Sequence, residues 1–208
     1  MNCPGSVSKS LLVVSGSADS VCNSAATLLH LPNSNIPVNT QLQTSSDWIR
    51  PGIAMYGASP DYPQHAAQDW GLEPTMTLSA KIIGIQNLSA GDSVGYGSSF
   101  TAQHDMRIGI VACGYADGYP RICPTGTPVL VDGHSSHTIG RVSMDMLCVD
   151  LSHLKSCGMG SVVTLWGKAN NGAIISIDEV AAKAQTLGYE LMCSVTQRVP
   201  FVIEDQDF

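Results

Sequence analysis

Val94-Gly95-Tyr96-Gly97, Gly114-Tyr115-Ala116-Asp117-Gly118-Tyr119-Pro120-Arg121 and Gly140-Arg141-Val142-Ser143-Met144-Asp145 are three dense motifs in the stretch from Gly91 to Asp145. Their reading decides the fold. Apolar segments at 108–113 and 128–131 run between them, of strand length and rich in β-branched residues. Twice a glycine stands beside a tyrosine. A sheet uses that pairing where the backbone turns sharply and still presents a phenol to a cavity. Read from the residues alone, the stretch belongs to a β-barrel with glycine corners, its tyrosines either packed under loops or facing a site.

Outward from this stretch the same pattern continues. Strands are expected at 78–85, 129–131, 138–142, 147–151 and 162–166, with Asp132-Gly133 as a hairpin turn. Short strands spaced by glycine turns predict a barrel-like β-domain. Ser176-x-x-Glu179 is a capping box that opens one helix over 180–187, with Gly188 as its stop, and a last strand over 195–203 closes the domain. Upstream, residues 58–74 carry Pro60, Pro63, Gly71 and Pro74 and read as a linker, which divides the chain into 1–75 and 76–208. Residues 32–46 are a polar, turn-rich loop. The segment around Arg50-Pro51-Gly52-Ile53 looks buried, and an arginine there needs partners because its charge cannot be shed. Asn23 or Ser24 can cap a short helix, where a hydroxyl either serves the backbone alone or shares a phosphate with it. Leu11-Leu12-Val13-Val14 can form a buried strand.

Composition narrows the classes of function. The 208 residues are 44% hydrophobic and 13% charged, so the chain folds and is large enough for one ample core or two small domains. A net charge of −7 argues against nucleic acid or an anionic membrane as partner. Seven cysteines form no C-x-x-C pair and read as reduced, buried thiols. His134-x-x-His137 flanks a turn and reads as solvated surface, so no metal site is expected. The apolar run near the start is too short for a signal segment or a membrane span, which makes the cytoplasm the default location.

The wording of the three motifs resembles the C-terminal domain of the bacterial alanine racemases, the pyridoxal-phosphate enzymes that interconvert L- and D-alanine. The resemblance runs from about Asn23 to about Ile203. It implies a mainly β fold, the racemase C-terminal β-barrel-like domain in 76–208, preceded by a remnant of a pyridoxal-phosphate-binding TIM (β/α)8 barrel in 1–75. It implies a two-base reaction with Tyr96 as one base, and a homodimer in which these C-terminal residues reach the cofactor of the other subunit. It implies that Met144 holds the substrate carboxylate through its backbone, and that Tyr115, Arg121, Arg141 and Asp145 line the corridor to the active site. Ser24, Gly52 and Ile53 match groups that contact the cofactor phosphate. Arg50 matches the arginine facing the pyridine nitrogen, which favours reprotonation over transamination.

The same resemblance sets out what these 208 residues lack. A TIM barrel takes roughly 250 residues. The lysine segment that carries the cofactor in the family has no counterpart around Lys9, Lys81, Lys155, Lys168 or Lys183. The barrel arginine for the substrate carboxylate and the histidine behind the catalytic tyrosine have none either. Gln197 stands where some members carry a tyrosine in the pocket wall. Two classes of function follow: a part of an alanine racemase that is inactive by itself, or a non-catalytic β-domain serving as an interaction module.

Overall fold

The computed structural model of the protein describes residues 10–14, 52–95 and 97–204. Its strands are β1 (Ser10–Val14), β2 (Met76–Leu88), β3 (Ser93–Val94), β4 (Phe100–Thr101), β5 (Met106–Val111), β6 (Pro128–Val131), β7 (His134–Ile139), β8 (Leu147–Asp150), β9 (Val162–Lys168), β10 (Ile174–Ile175) and β11 (Phe201–Glu204). Two short helices, α1 (Ile177–Lys183) and α2 (Gly188–Ser194), follow β10. The order β2-β5-β8-β7-β6-β9 returns to β2, so six strands close into a barrel. The mainly β fold expected from the motifs is the fold observed.

Closure depends on β2, which is long enough to serve two neighbours. Its first part lies antiparallel to β9, with Ala80 opposite Val163, and its last part antiparallel to β5, with Gly84 opposite Ile110. Register shifts between Leu78 and Ser79 and between Ile82 and Gly84 bend the strand from one neighbour to the other. The period of two is plain in its burial. Leu78, Ala80 and Ile82 are buried while Lys81 and Ile83 face outward. Val111, Val129, Leu165 and Trp166 share the main core with them, while Ile108 packs in a smaller cluster with Met106 and Ile139, each large apolar side chain contributing about 1.5–3 kcal/mol on burial. Tyr119 stacks on Trp166, ring centroids 6.1 Å apart and planes 13° from parallel.

Three local expectations are corrected. The strand expected at 138–142 begins at His134, because the two-residue Asp132-Gly133 turn starts β7 at once, and it ends at Ile139 before a turn at Gly140. Ser176 does cap a helix, its hydroxyl accepting the Asp178 N–H at 3.1 Å, but that helix is α1 and ends near Gln185. Gly188 opens α2 where a stop was expected. A Cβ there would lie 3.1 Å from Ile53 Cδ1, so the small residue serves close packing. The last strand is shorter than 195–203: Val199 N–H bonds back to the Thr196 carbonyl in a turn, and only Phe201–Glu204 is extended, parallel to β1.

Residues 52–74 are anchored to the barrel. The Ser59 N–H donates to Asp178 Oδ2 at 2.8 Å, which ties this segment to the first turn of α1. Asp61 accepts from Trp70 Nε1 at 2.9 Å and Ser59 Oγ at 3.1 Å, and meets His65 Nδ1 at 2.6 Å. Burial works against the Asp61 charge, but the hydrogen bonds from His65, Trp70 and Ser59 outweigh it and hold the carboxyl below its ordinary range. Asp178 goes the other way: burial pushes its carboxyl up, against the Ser59 amide and the Ser176 hydroxyl.

Candidate active site

The three sequence motifs meet at one place. In the second, residues Tyr115–Asp117 form a single 3-10 turn after β5. The Tyr115 N–H donates to the Ser143 carbonyl at 3.0 Å and the Ala116 N–H to the Met144 carbonyl at 2.9 Å. Gly114 permits this approach, since a Cβ on it would lie 2.4 Å from both of those carbonyl oxygens. The first motif packs on the other side of the third. A Cβ on Gly95, at φ 83°, would stand 3.3 Å from the Arg141 nitrogen. Ser143 fixes the turn that carries Met144 and Asp145, its hydroxyl donating to the Met146 carbonyl at 2.7 Å and accepting the Met146 N–H at 3.1 Å.

Tyr115 and Met144 are exposed there, and Ile122 and Met146 are exposed as well. Arg121, Arg141 and Asp145 are exposed beside them in sequence. Gly52 and Ile53 lie elsewhere, in a 3-10 segment (Gly52–Tyr56) that packs on α2. The Ile53 N–H donates to Tyr189 Oη at 3.2 Å, and the Ile53 carbonyl accepts from the Ala58 N–H. Asn23, Ser24, Arg50 and Tyr96 lie outside the described residues.

Sequence reasoning missed four groups. Asp117 is fully buried, and its Oδ2 accepts the Gly114 N–H at 2.9 Å. Arg198 donates through Nη2 to Asp145 Oδ1 at 2.6 Å and places Nε 3.6 Å from Asp117 Oδ1. Ser143 and Tyr189 complete the set. The available signal was the carboxylate of Asp117 among glycines and tyrosines, since a buried carboxylate must find partners.

Two chemical exclusions follow from burial. Tyr119 is held well above the usual phenol range by burial, with Cys123 and Cys113 adding to it, so it stays protonated and is no base. Burial also raises the Cys123 and Cys148 thiols, which keeps them as thiols. Among the described residues no group of three or more His, Cys, Asp or Glu could hold a metal ion. For a pyridoxal phosphate the fit is divided. The Ile53 N–H, at the start of a 3-10 segment, donates to Tyr189 Oη at 3.2 Å and would reach a phosphate oxygen only by exchanging that bond. No described lysine suits covalent attachment. Lys168 pairs with Glu73 at 3.1 Å on the surface, and Lys81, Lys155 and Lys183 are exposed.

Known proteins share this sequence and fold. Residues 75–203 match the family described as alanine racemase, C-terminal domain. An alanine racemase of a Polaromonas species is 59% identical over 185 residues, which cover 89% of this chain and 49% of that relative. The chain thus spans about half the length of the curated relatives it matches. Among solved structures, the biosynthetic alanine racemase of Pseudomonas aeruginosa is 51% identical with a TM-score of 0.71, covering 76% of this chain and 42% of that one. The alanine racemase of Bartonella henselae, solved with covalently bound pyridoxal phosphate, is 28% identical with a TM-score of 0.63, over 74% and 40% of the two chains.

Proposed function

The chain belongs to the alanine racemase family through the C-terminal domain it carries, and from that premise we propose that it supplies one base and the substrate-carboxylate contact for racemisation of alanine. The observation that carries this reading is the backbone joining of Tyr115 and Ala116 to Ser143 and Met144. It gathers the residues of two motifs into one rigid unit. In this reading Ser24, Gly52 and Ile53 hold the phosphate of pyridoxal 5'-phosphate, and Arg50 faces its ring nitrogen. The cofactor, when bound, delocalises charge at the substrate α-carbon.

Tyr96 exchanges a proton on one face of that carbon. A free phenol titrates near about 10, so Tyr96 needs a neighbouring base or cation to act at neutral pH. The lysine for the opposite face has no counterpart in these 208 residues. By its match to the family, the Met144 N–H is assigned to hold the substrate carboxylate, while the Met144 carbonyl accepts the Ala116 N–H at 2.9 Å. Arg121 and Arg141 draw that carboxylate inward past Tyr115 and Asp145 on a protein of net negative charge. The Ile53 hydrogen bond runs to Tyr189 and not to the Met144 unit. On the family resemblance, we assign the Gly52–Ile53 and Met144 groups to different active sites of a cytoplasmic homodimer, 1–75 contributing to the cofactor barrel and 76–208 to the β-domain.

The test joins this chain to the N-terminal half of the Polaromonas relative and measures racemisation with pyridoxal phosphate in both directions. Tyr96→Phe should lower both rates about 10²-fold or more while cofactor binding, read from its visible absorbance, persists. Rates within about twofold of the parent would make Tyr96 structural.

A further inference from the structure

We propose that Arg198 is a positioning residue, whose guanidinium ties Asp117 to Asp145 and so holds the Tyr115 and Met144 segments in one arrangement with the carboxylate of Asp145 neutralised. Two separate segments converge on it. Arg198 Nη2 donates to Asp145 Oδ1 at 2.6 Å, and Nε stands 3.6 Å from Asp117 Oδ1. Asp117 is wholly buried and accepts the Gly114 N–H at the base of the Tyr115 turn. The Thr196 N–H donates to the Asp117 carbonyl at 3.2 Å, and the Thr196 hydroxyl to the Ala116 carbonyl at 2.9 Å. The Arg198 N–H in turn donates to that hydroxyl at 3.4 Å. The 196–198 strap is thereby fastened to the same turn that bonds to Ser143 and Met144.

The residue type follows from the geometry. A planar guanidinium offers several donors in fixed directions and can serve two carboxylates on different segments, which an ammonium on a flexible stem does poorly. Its partners Asp145 and Asp117 also hold the Arg198 proton more firmly than usual. The chemical consequence concerns Asp145, which directly follows Met144. An unpaired carboxylate at that place would repel the substrate carboxylate that the Met144 N–H is assigned to hold. Arg198 removes that repulsion without touching substrate. This inference rests on the proposed role of Met144.

Two measurements test it. In the 208-residue chain itself, Arg198→Ala should speed amide exchange at Tyr115 and Ala116 about tenfold or more, while amides of β5 such as Ile108 exchange as before. Unchanged exchange at Tyr115 and Ala116 would overturn the positioning role. In the enzyme joined to its N-terminal half, Arg198→Ala should raise KM for alanine about fivefold or more with kcat changed much less. Adding Asp145→Asn to Arg198→Ala should recover most of the lost affinity, because the charge left unpaired is then gone. A merely structural arginine would show no such recovery, and that result would overturn the charge argument. If the parent joined enzyme does not racemise alanine, the proposed function fails, and the exchange measurement still decides whether Arg198 positions the segments.

Discussion

Gly114 shows how much of the candidate site depends on a missing side chain. Its backbone is extended, so the residue is not there for an unusual conformation. What matters is that a Cβ would lie 2.4 Å from the Ser143 and Met144 oxygens. Gly114→Ala should therefore cost about 1–3 kcal/mol in chemical denaturation, and should loosen the Tyr115–Ser143 and Ala116–Met144 bonds. A loss under about 0.5 kcal/mol would show that the two segments can part without penalty. Residues of this kind are legible in the sequence because the motif is local: Gly114, Tyr115, Met144 and Asp145 stand in recognisable strings. Asp117 stands in the same string as Gly114, but the arginine it faces does not. Arg198 meets Asp145 from 53 positions away, and no spacing rule reports that a charge near the C-terminus belongs beside a turn in the middle of the chain.

The elements read less evenly than the residues. β2, β6, β8 and β9 follow from alternation and turn residues, and Asp132-Gly133 sets the β6–β7 hairpin. The helical part misled because Gly188 has two possible meanings, a stop for α1 or a close contact for α2, and only the packing of Ile53 selects the second. The 58–74 segment reads as a linker from its prolines, and inside it Asp61 gathers Ser59, His65 and Trp70. The lowered Asp61 pKa gives that cluster a pH dependence. A carboxyl depressed on folding stabilises the native state above its unfolded value, about 3.9, and this is lost as pH falls through the lower native value. Asp61→Asn should thus be less stable than the parent at neutral pH, with the difference closing below about pH 3.9. Denaturation midpoints across that range check it, and a gap that stays constant down to strongly acid pH would rule out the Asp61 charge as its cause.

At the scale of the whole molecule, the barrel closes on β2 and the Gly114 and Gly140 motifs sit on turns between its strands. Ile108 is fully buried in β5, the strand that leads into the Tyr115 turn. Ile108→Ala should lower global stability by about 2–5 kcal/mol, while joined-enzyme kcat at a temperature where the variant stays folded changes little. A large loss of kcat in a folded variant would show that barrel packing and site geometry are coupled more tightly than these contacts indicate. The central claim is that this chain carries one half of a racemase site and needs the other half to act. The most direct measurement is D-alanine formation from L-alanine with saturating pyridoxal phosphate, comparing three samples: the 208-residue chain, the chain joined to a relative's N-terminal half, and the cofactor in buffer. The account predicts that the chain alone matches the buffer control, because proximity and orientation worth roughly 7–11 kcal/mol are missing without a positioned lysine. The joined enzyme should exceed that control by orders of magnitude. A rate for the chain alone clearly above buffer and lost on Tyr96→Phe, or a joined enzyme no better than buffer, would contradict it.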